Sequence, residues 1–312
     1  MSVPRSETLR RVVSIGVFDG LHLGHRAILE RARARADAAG CEVVVVSFDP
    51  HPDVVLARDA FRLAAPLTPI GEKRRRLAEL GIARLDLIAF TRELAALEPE
   101  VFVERHLVVP HAPRAIVVGA GFALGRARSG DVPRLQAIGA AHDFEVEAVP
   151  LVAIGGAAVS STRIRALLAE GRVAELPALL GRTYALEGRV VGGDAIGRTI
   201  GWPTANLRLH EEKLLPRDGI YAARVGIGDE PVTRPAAVSV GVRPTFDGKS
   251  RTIEAHLIDF EGELPGREMR LAFVDWLRPE LKFESPVALA GAIQADVEEC
   301  RARLARAPQA GV

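Results

Sequence analysis

Apolar residues fall along this chain in two rhythms. Over about 12–170, short β-branched runs alternate with stretches rich in Ala, Arg and Leu: VVSIGVF at 12–18, then RAILERARARADAAG, then CEVVVVSF at 41–48. This β-α-β alternation predicts a parallel sheet covered by helices. Further strands are expected at 85–90, 115–118 and 144–149, and helices at 70–80, 99–107 and 131–142. After Gly181 the strand-like runs YALEGRVV, GIYAARVGI, AAVSVGV, TIEAHLIDF and MRLAFVDWL follow one another with only Gly, Pro and Asp between them. Closely spaced short strands with turn signals predict an antiparallel barrel or sandwich. A last helix is expected from Pro286 to about Ala305, with its proline in the first turn after Ser285. The change of rhythm puts a domain boundary at 180–184, giving domains 1–180 and 181–312.

Composition narrows the classes open to such a chain. Its 312 residues include 41 basic and 40 acidic side chains, a net charge of +1, and 48% are hydrophobic. That suits a globular protein of two domains and provides no global field for a polyanion, so binding to nucleic acid or to an acidic membrane is not expected. No run approaches the ~18 apolar residues that span a bilayer, and MSVPRSETLRR lacks a signal-peptide core. A cytoplasmic location is the expectation. Cys41 and Cys300 form neither a CxxC nor a zinc spacing.

The first constellation with chemistry in it is GVFDGLHLGH at 16–25, directly after the first strand and directly before the first helix. Gly16 and Gly20 allow close backbone approach, and a helix N-terminus supplies unpaired N–H donors and partial positive charge suited to phosphate. His22 and His25 are three residues apart, so both could turn to that phosphate and stabilise charge growing on a pentacoordinate phosphorus. This stretch resembles the HxGH nucleotidyltransferases, whose second signature, S-S-T-x-I-R, is matched by Ser160, Ser161, Thr162, Arg163, Ile164 and Arg165. Hydroxyls and N–H groups opening a helix can hold a triphosphate while an arginine neutralises it. The resemblance implies catalytic roles for His22, His25 and Arg165, and nucleotide contacts from Gly16, Phe18, Asp19, Gly20, Ser161, Thr162 and Arg163.

In the second domain, GDAIGRTIGWPTANL at 193–207 lacks the Walker pattern but offers a glycine-rich turn followed by Pro203, Thr204, Ala205 and Asn206. Amides in such a turn can cradle phosphate, a Thr hydroxyl can ligate Mg²⁺ and an Asn amide can bridge metal and substrate. PTAN resembles the riboflavin kinase signature, and DGIYA (218–222), SVGVRPTF (239–246), IEAHLIDF (253–260) and LRPELKF (277–283) follow in the family's order. FDPHP (48–52) and GRARSGD (125–131) extend the match in the first half, so nearly the whole chain resembles the bacterial bifunctional riboflavin kinase and FMN adenylyltransferase family. The resemblance implies a Rossmann-like α/β domain followed by a β-barrel with a terminal helix. It implies riboflavin and ATP as substrates, Mg²⁺ as cofactor, and FMN and then FAD as products. Glu254 would be the kinase base, Thr204 and Asn206 would serve the metal, and Gly193, Gly197, Arg198 and Gly201 the nucleotide. Asn206, Tyr221, Arg278, Gly121 and Phe122 would face flavin.

Two positions depart from the family pattern. Gly121 stands where members usually carry Asp or Asn, and Pro265 where a Tyr is common. Loss of a polar side chain beside the flavin leaves open a riboflavin kinase with weakened or lost adenylylation. A flavin- or nucleotide-binding regulator, or a nucleotidyltransferase for another phosphorylated acceptor, is also open. Self-association into a homo-oligomer is not readable from the residues.

Overall fold

Val13 and Ile15 turn to one side of strand β1 (Arg11–Ile15), and Val12 and Ser14 to the other; all four are buried. Both faces therefore need cover, and β1 lies at the centre of a five-stranded parallel sheet of order β3-β2-β1-β4-β7. Its neighbours are β2 (Val43–Asp49) and β4 (Pro113–Gly119), with β3 (Arg84–Ala89) and β7 (Glu145–Val149) at the edges. The strand order reverses between β1 and β4, and ligands bind at the carboxyl ends of strands where such a reversal opens a crevice. The structure, a computed structural model, describes residues 10–56, 65–192, 201–245 and 248–307, and the chain divides into two compact units, 1–160 and 161–312.

Helix α1 (Leu23–Ala39) buries Leu29, Ala32 and Ala36, one stripe at helical spacing, against the Val12 face of the sheet, and ends at Gly40 in the left-handed conformation. Helices α2 (Pro52–Leu56) and α3 (Ile70–Glu79) follow β2. The expected helix at 99–107 is present but not uniform: after the short α4 (Arg92–Ala95), α5 (Pro99–Val103) runs into a π-helical turn, Glu104–Val108, and on into α6 (Val109–His111). Pro110 has no N–H with which to continue the regular ladder. After β4 come a small hairpin of β5 (Ala123–Leu124) and β6 (Gly130–Asp131), and α7 (Val132–Ala141), capped by the Asp131 side chain on Arg134 N at 3.0 Å. A second hairpin, β8 (Ala153–Ile154) with β9 (Ala157–Ala158), closes the unit.

The second unit opens with α8 (Ser161–Glu170) and α9 (Leu176–Leu180), so its contacts begin some twenty residues before the change of rhythm at 180–184. Leu168 O accepts from Arg217 N at 2.8 Å and Gly171 lies against the Trp276 ring, which ties α8 to the strands beyond. Those strands form a closed antiparallel barrel, the first of the two architectures the strand spacing allows. Its order is β10 (Ala185–Val191), β11 (Ala205–Leu209), β14 (Gly248–Leu257), β13 (Arg234–Thr245), β12 (Gly219–Ile227) and β15 (Glu268–Arg278). Strand β11, formed by the end of PTAN and the residues after it, is the one that periodicity did not mark. Helix α10 (Pro286–Arg306) packs Val297, Cys300 and Leu304 on the outside of the barrel against Ala222, Ala237 and Ile258. Among the described residues no helix is long and apolar enough to cross a membrane.

Candidate functional sites

The loop joining β1 to α1 lies at the reversal of strand order. Phe18 (φ 50°), Gly20 (φ 93°) and Leu21 (φ 39°) take left-handed backbone conformations, a kinked path that a simple turn does not need. The kink is held from outside the motif. Asp19, 2% exposed, accepts from Leu67 N at 2.9 Å and Thr68 N at 3.0 Å, and Gly20 N donates to Thr68 Oγ1 at 3.0 Å. Asp19 was expected at the nucleotide; its carboxylate instead fastens the loop to residues 67–68, and a buried anion is a poor phosphate ligand.

The two histidines do come together, in different roles. His22 caps α1, its Nδ1 accepting from His25 N at 3.2 Å, so the neutral ring carries its proton on Nε2. The rings stack at 3.7 Å between centroids, and the Phe18 ring meets His25 edge-on at 5.3 Å. His25 Nδ1 is buried without a partner among the described residues. Burial first, then His22 and Lys73, push the His25 imidazole well below its usual range, so the ring is neutral at physiological pH. The result is two stacked imidazoles, that of His25 neutral, at a helix N-terminus suited to an anion.

Phe122, in the turn after β4, packs at the core's edge with Phe48 of β2 and Phe90 beyond β3, and the Phe48 and Phe90 rings lie edge to face at 5.4 Å. These residues stand at carboxyl ends of the same strands. Gly121 O accepts from Arg128 Nη2 at 3.3 Å, and a Cβ on Gly121 would meet nothing within 4 Å, so the space for the family's larger residue is open.

In the second unit Ser161, Thr162, Arg163 and Arg165 occupy the first turns of α8, whose Ile164, Leu167 and Leu168 are buried; Thr162 is exposed and the other three half-buried.

On the barrel, pairing register brings one residue from every strand into a single lateral row: Val191, Asn206, Glu254, Ser239, Ile220 and Arg278. Their chain neighbours Val190, Ala205, Ala255, Val240 and Tyr221 are buried inside, so the row faces out, the side on which α10 packs. Thr204 Oγ1 lies 3.5 Å from Glu254 Oε2, Trp202 meets the His256 ring edge-on at 5.2 Å, and Pro203 O is 2.9 Å from His256 Nδ1. The PTAN segment is thus pinned beside Glu254.

Arg278 ends the row but is engaged, its Nε and Nη2 each 2.7 Å from the Asp296 carboxylate of α10. Tyr221 corrects the expectation of a flavin contact. Its odd position in GIYAARVGI turns it inward, fully buried, with Phe273 4.9 Å away and its hydroxyl donating to Arg217 O. Desolvation raises its phenol pKa further from neutrality. Gly201 adopts φ 84°, whereas Gly193, Gly197 and Arg198 lie outside the described residues.

One carboxylate here was not expected. Ser239 Oγ donates to Glu280 Oε1 at 2.9 Å, and a Cβ on Gly241 would overlap the Glu280 carboxylate. The segment after β15 therefore folds back over the row beside Glu254. Among the described residues no three His, Cys, Asp or Glu gather to hold a metal. Thr204, Asn206 and Glu254 offer only hard oxygen donors beside one another, a set that fits a magnesium ion carried mainly by nucleotide phosphates and water.

Comparison with known proteins matches this division of chemistry. The family model for FAD synthetase matches residues 5–163 and that for riboflavin kinase residues 180–304. Proteins named bifunctional riboflavin kinase/FMN adenylyltransferase are 36% identical in Listeria monocytogenes, covering 96% of this chain and 94% of that protein. One from Pseudomonas fluorescens is 37% identical, covering 93% and 92%. A solved structure described as a macrolide-efflux protein from Streptococcus pneumoniae superposes with a TM-score of 0.85 at 32% identity, covering 96% of this chain and 95% of that one. Both halves match in the same order, and the chain belongs to the bifunctional riboflavin kinase/FMN adenylyltransferase family.

Proposed function

We propose that the chain makes FMN from riboflavin and ATP, releasing ADP, and then FAD from FMN and a second ATP, releasing pyrophosphate. The observation that carries the kinase reading to residues is the outward row in which Glu254 stands between Asn206 and Ser239 with the Thr204 hydroxyl 3.5 Å away. The ribityl 5′-hydroxyl attacks the γ-phosphorus of ATP, its proton passes to the Glu254 carboxylate, and the bond to ADP breaks. Thr204 and Asn206 would hold a magnesium ion together with the nucleotide, and that ion would offset charge on the phosphates.

In the second reaction a phosphate oxygen of FMN attacks the α-phosphorus of ATP and pyrophosphate leaves. Nucleophile and leaving group are already anionic, so the protein has to orient two anions and offset their repulsion. His25, His22 and the first N–H groups of α1 would do this. Phe48, Phe90 and Phe122 give an apolar edge on which an isoalloxazine ring could lie. Two free thiols and dependence on ATP suit the cytoplasm.

Chromatography of riboflavin incubated with purified protein, ATP and Mg²⁺ tests both steps. FMN is expected first and FAD after it. Unmodified riboflavin would remove the kinase reading, and FMN that accumulates without FAD would remove the adenylyltransferase reading.

A further inference from the structure

Lysine is scarce in this protein, and Lys73 in the first turns of α3 is 3% exposed. A lysine so buried needs polar partners. Its Nζ donates to Val17 O at 2.8 Å and lies 3.3 Å from Ser47 Oγ, while Ser47 Oγ itself donates to Val17 O at 3.0 Å. Ser47, on β2, is fully buried. Two donors thus converge on one carbonyl in the middle of the signature loop.

In a trans peptide the carbonyl and the following N–H point opposite ways. Tying Val17 O to Lys73 and Ser47 turns the Phe18 N–H away from them, and among the described residues that N–H has no acceptor. An unmet backbone donor at a crevice is what an oxyanion satisfies. The same clamp fixes Phe18 at its left-handed φ of 50°, which places its ring against His25. Asp19 and Thr68 hold the next peptides to the segment just before α3, so the outward face of the loop is set from one side.

We propose that Lys73, with Ser47, is a positioning residue for adenylyl transfer: it holds the Val17–Phe18 peptide with its N–H turned out to receive a phosphate oxygen of the nucleotide. The inference rests on the adenylyltransferase reading above. Its positive charge also polarises that peptide, strengthening the outward donor, and burial lowers the ammonium's pKa against the pull of Asp19 and Asp49.

The test is steady-state kinetics of Lys73→Met, Ser47→Ala and the double variant on the full chain, with circular dichroism and a thermal melt of the same samples as the measure of folded protein and riboflavin phosphorylation as the control reaction. Lys73→Met is expected to lower kcat for FMN adenylylation about 10²-fold, as loss of an oxyanion donor does, with KM for FMN and FMN formation unchanged. Ser47→Ala should fall between wild type and Lys73→Met, and the double variant should show less than the product of the two, because both act through one carbonyl. A wild-type kcat for FAD formation in folded Lys73→Met, with only the melting temperature lowered, overturns the proposal. Should Lys73→Met not fold, Ser47→Ala decides alone, and an unchanged kcat overturns it. Absence of FAD from the wild-type reaction instead overturns the adenylyltransferase reading, and the Lys73 assignment with it.

Discussion

Glu254→Gln separates a base from a binding residue at the kinase site. The amide keeps the size of the carboxylate and can still meet the Thr204 hydroxyl, now 3.5 Å from Oε2, so ground-state contacts along the row are retained. What is lost is acceptance of the ribityl proton, a contribution of ~10²–10⁴ in rate, or about 2.7–5.4 kcal/mol of barrier. The nearby carboxylate of Glu280 limits rescue. It is engaged by Ser239, one strand over and so about 4.8 Å away, and must leave that hydroxyl to substitute. The expected loss in kcat for FMN formation is therefore about 10³-fold, within the range for a general base, with KM for riboflavin little changed. Single-turnover conversion of riboflavin measures it, and FAD formation from supplied FMN in the same preparation is the control. A loss in kcat below about tenfold, under the range for general bases, would refute Glu254 as the base. Parallel loss of both reactions would show damage to the fold.

Three further outcomes follow. His25→Ala should lower FAD formation by ~10²–10³ and leave FMN formation intact, and equal loss of both in a variant whose melt shows it folded would count against separate sites. His25, His106 and His111 are each held below the usual imidazole range, chiefly by burial, in His111 despite Asp86 at 3.7 Å. The unfolded chain therefore takes up protons first on acidification, so the stability gained by keeping these rings neutral is present above pH ~6.5 and lost as pH falls through the folded values. The urea midpoint should drop between pH 7.5 and 5.5, and His111→Gln should reduce the drop; a midpoint independent of pH would contradict this. Asp296→Asn weakens the twin bonds to Arg278, whose side chain is 23% exposed. Partial exposure reduces the ~3–5 kcal/mol cost of breaking a buried pair to about 2 kcal/mol, or about 4–8 °C in Tm for a unit of this size. An unchanged melt would show that the pair contributes nothing.

Much of this organisation is legible in the residues because strands and helices stamp their periods on the chain. The alternation in GIYAARVGI already sets Arg224 and Ile220 on one face and Tyr221 with Val225 on the other. The flavin contact that the motif implies for Tyr221 runs against this alternation, which sets the ring inside the barrel. Strand β11 was missed because Pro203 and the glycines before it read as a turn, although Ala205 and Leu207 alternate with Asn206. The supports of the site left a fainter trace. Thr68 and Lys73 stand about fifty positions after the loop they fasten, and nothing local in TPIGEK ties them to Val17 or Gly20. Glu280 lies two residues after the arginine of its motif, and its link to Ser239 exists only because the chain leaving β15 passes the end of β12 to reach β13. Groups that touch substrate carry their chemistry in their own side chains and can be picked from a pattern. Groups that aim them act through a carbonyl or a backbone angle, and such action has no sequence of its own.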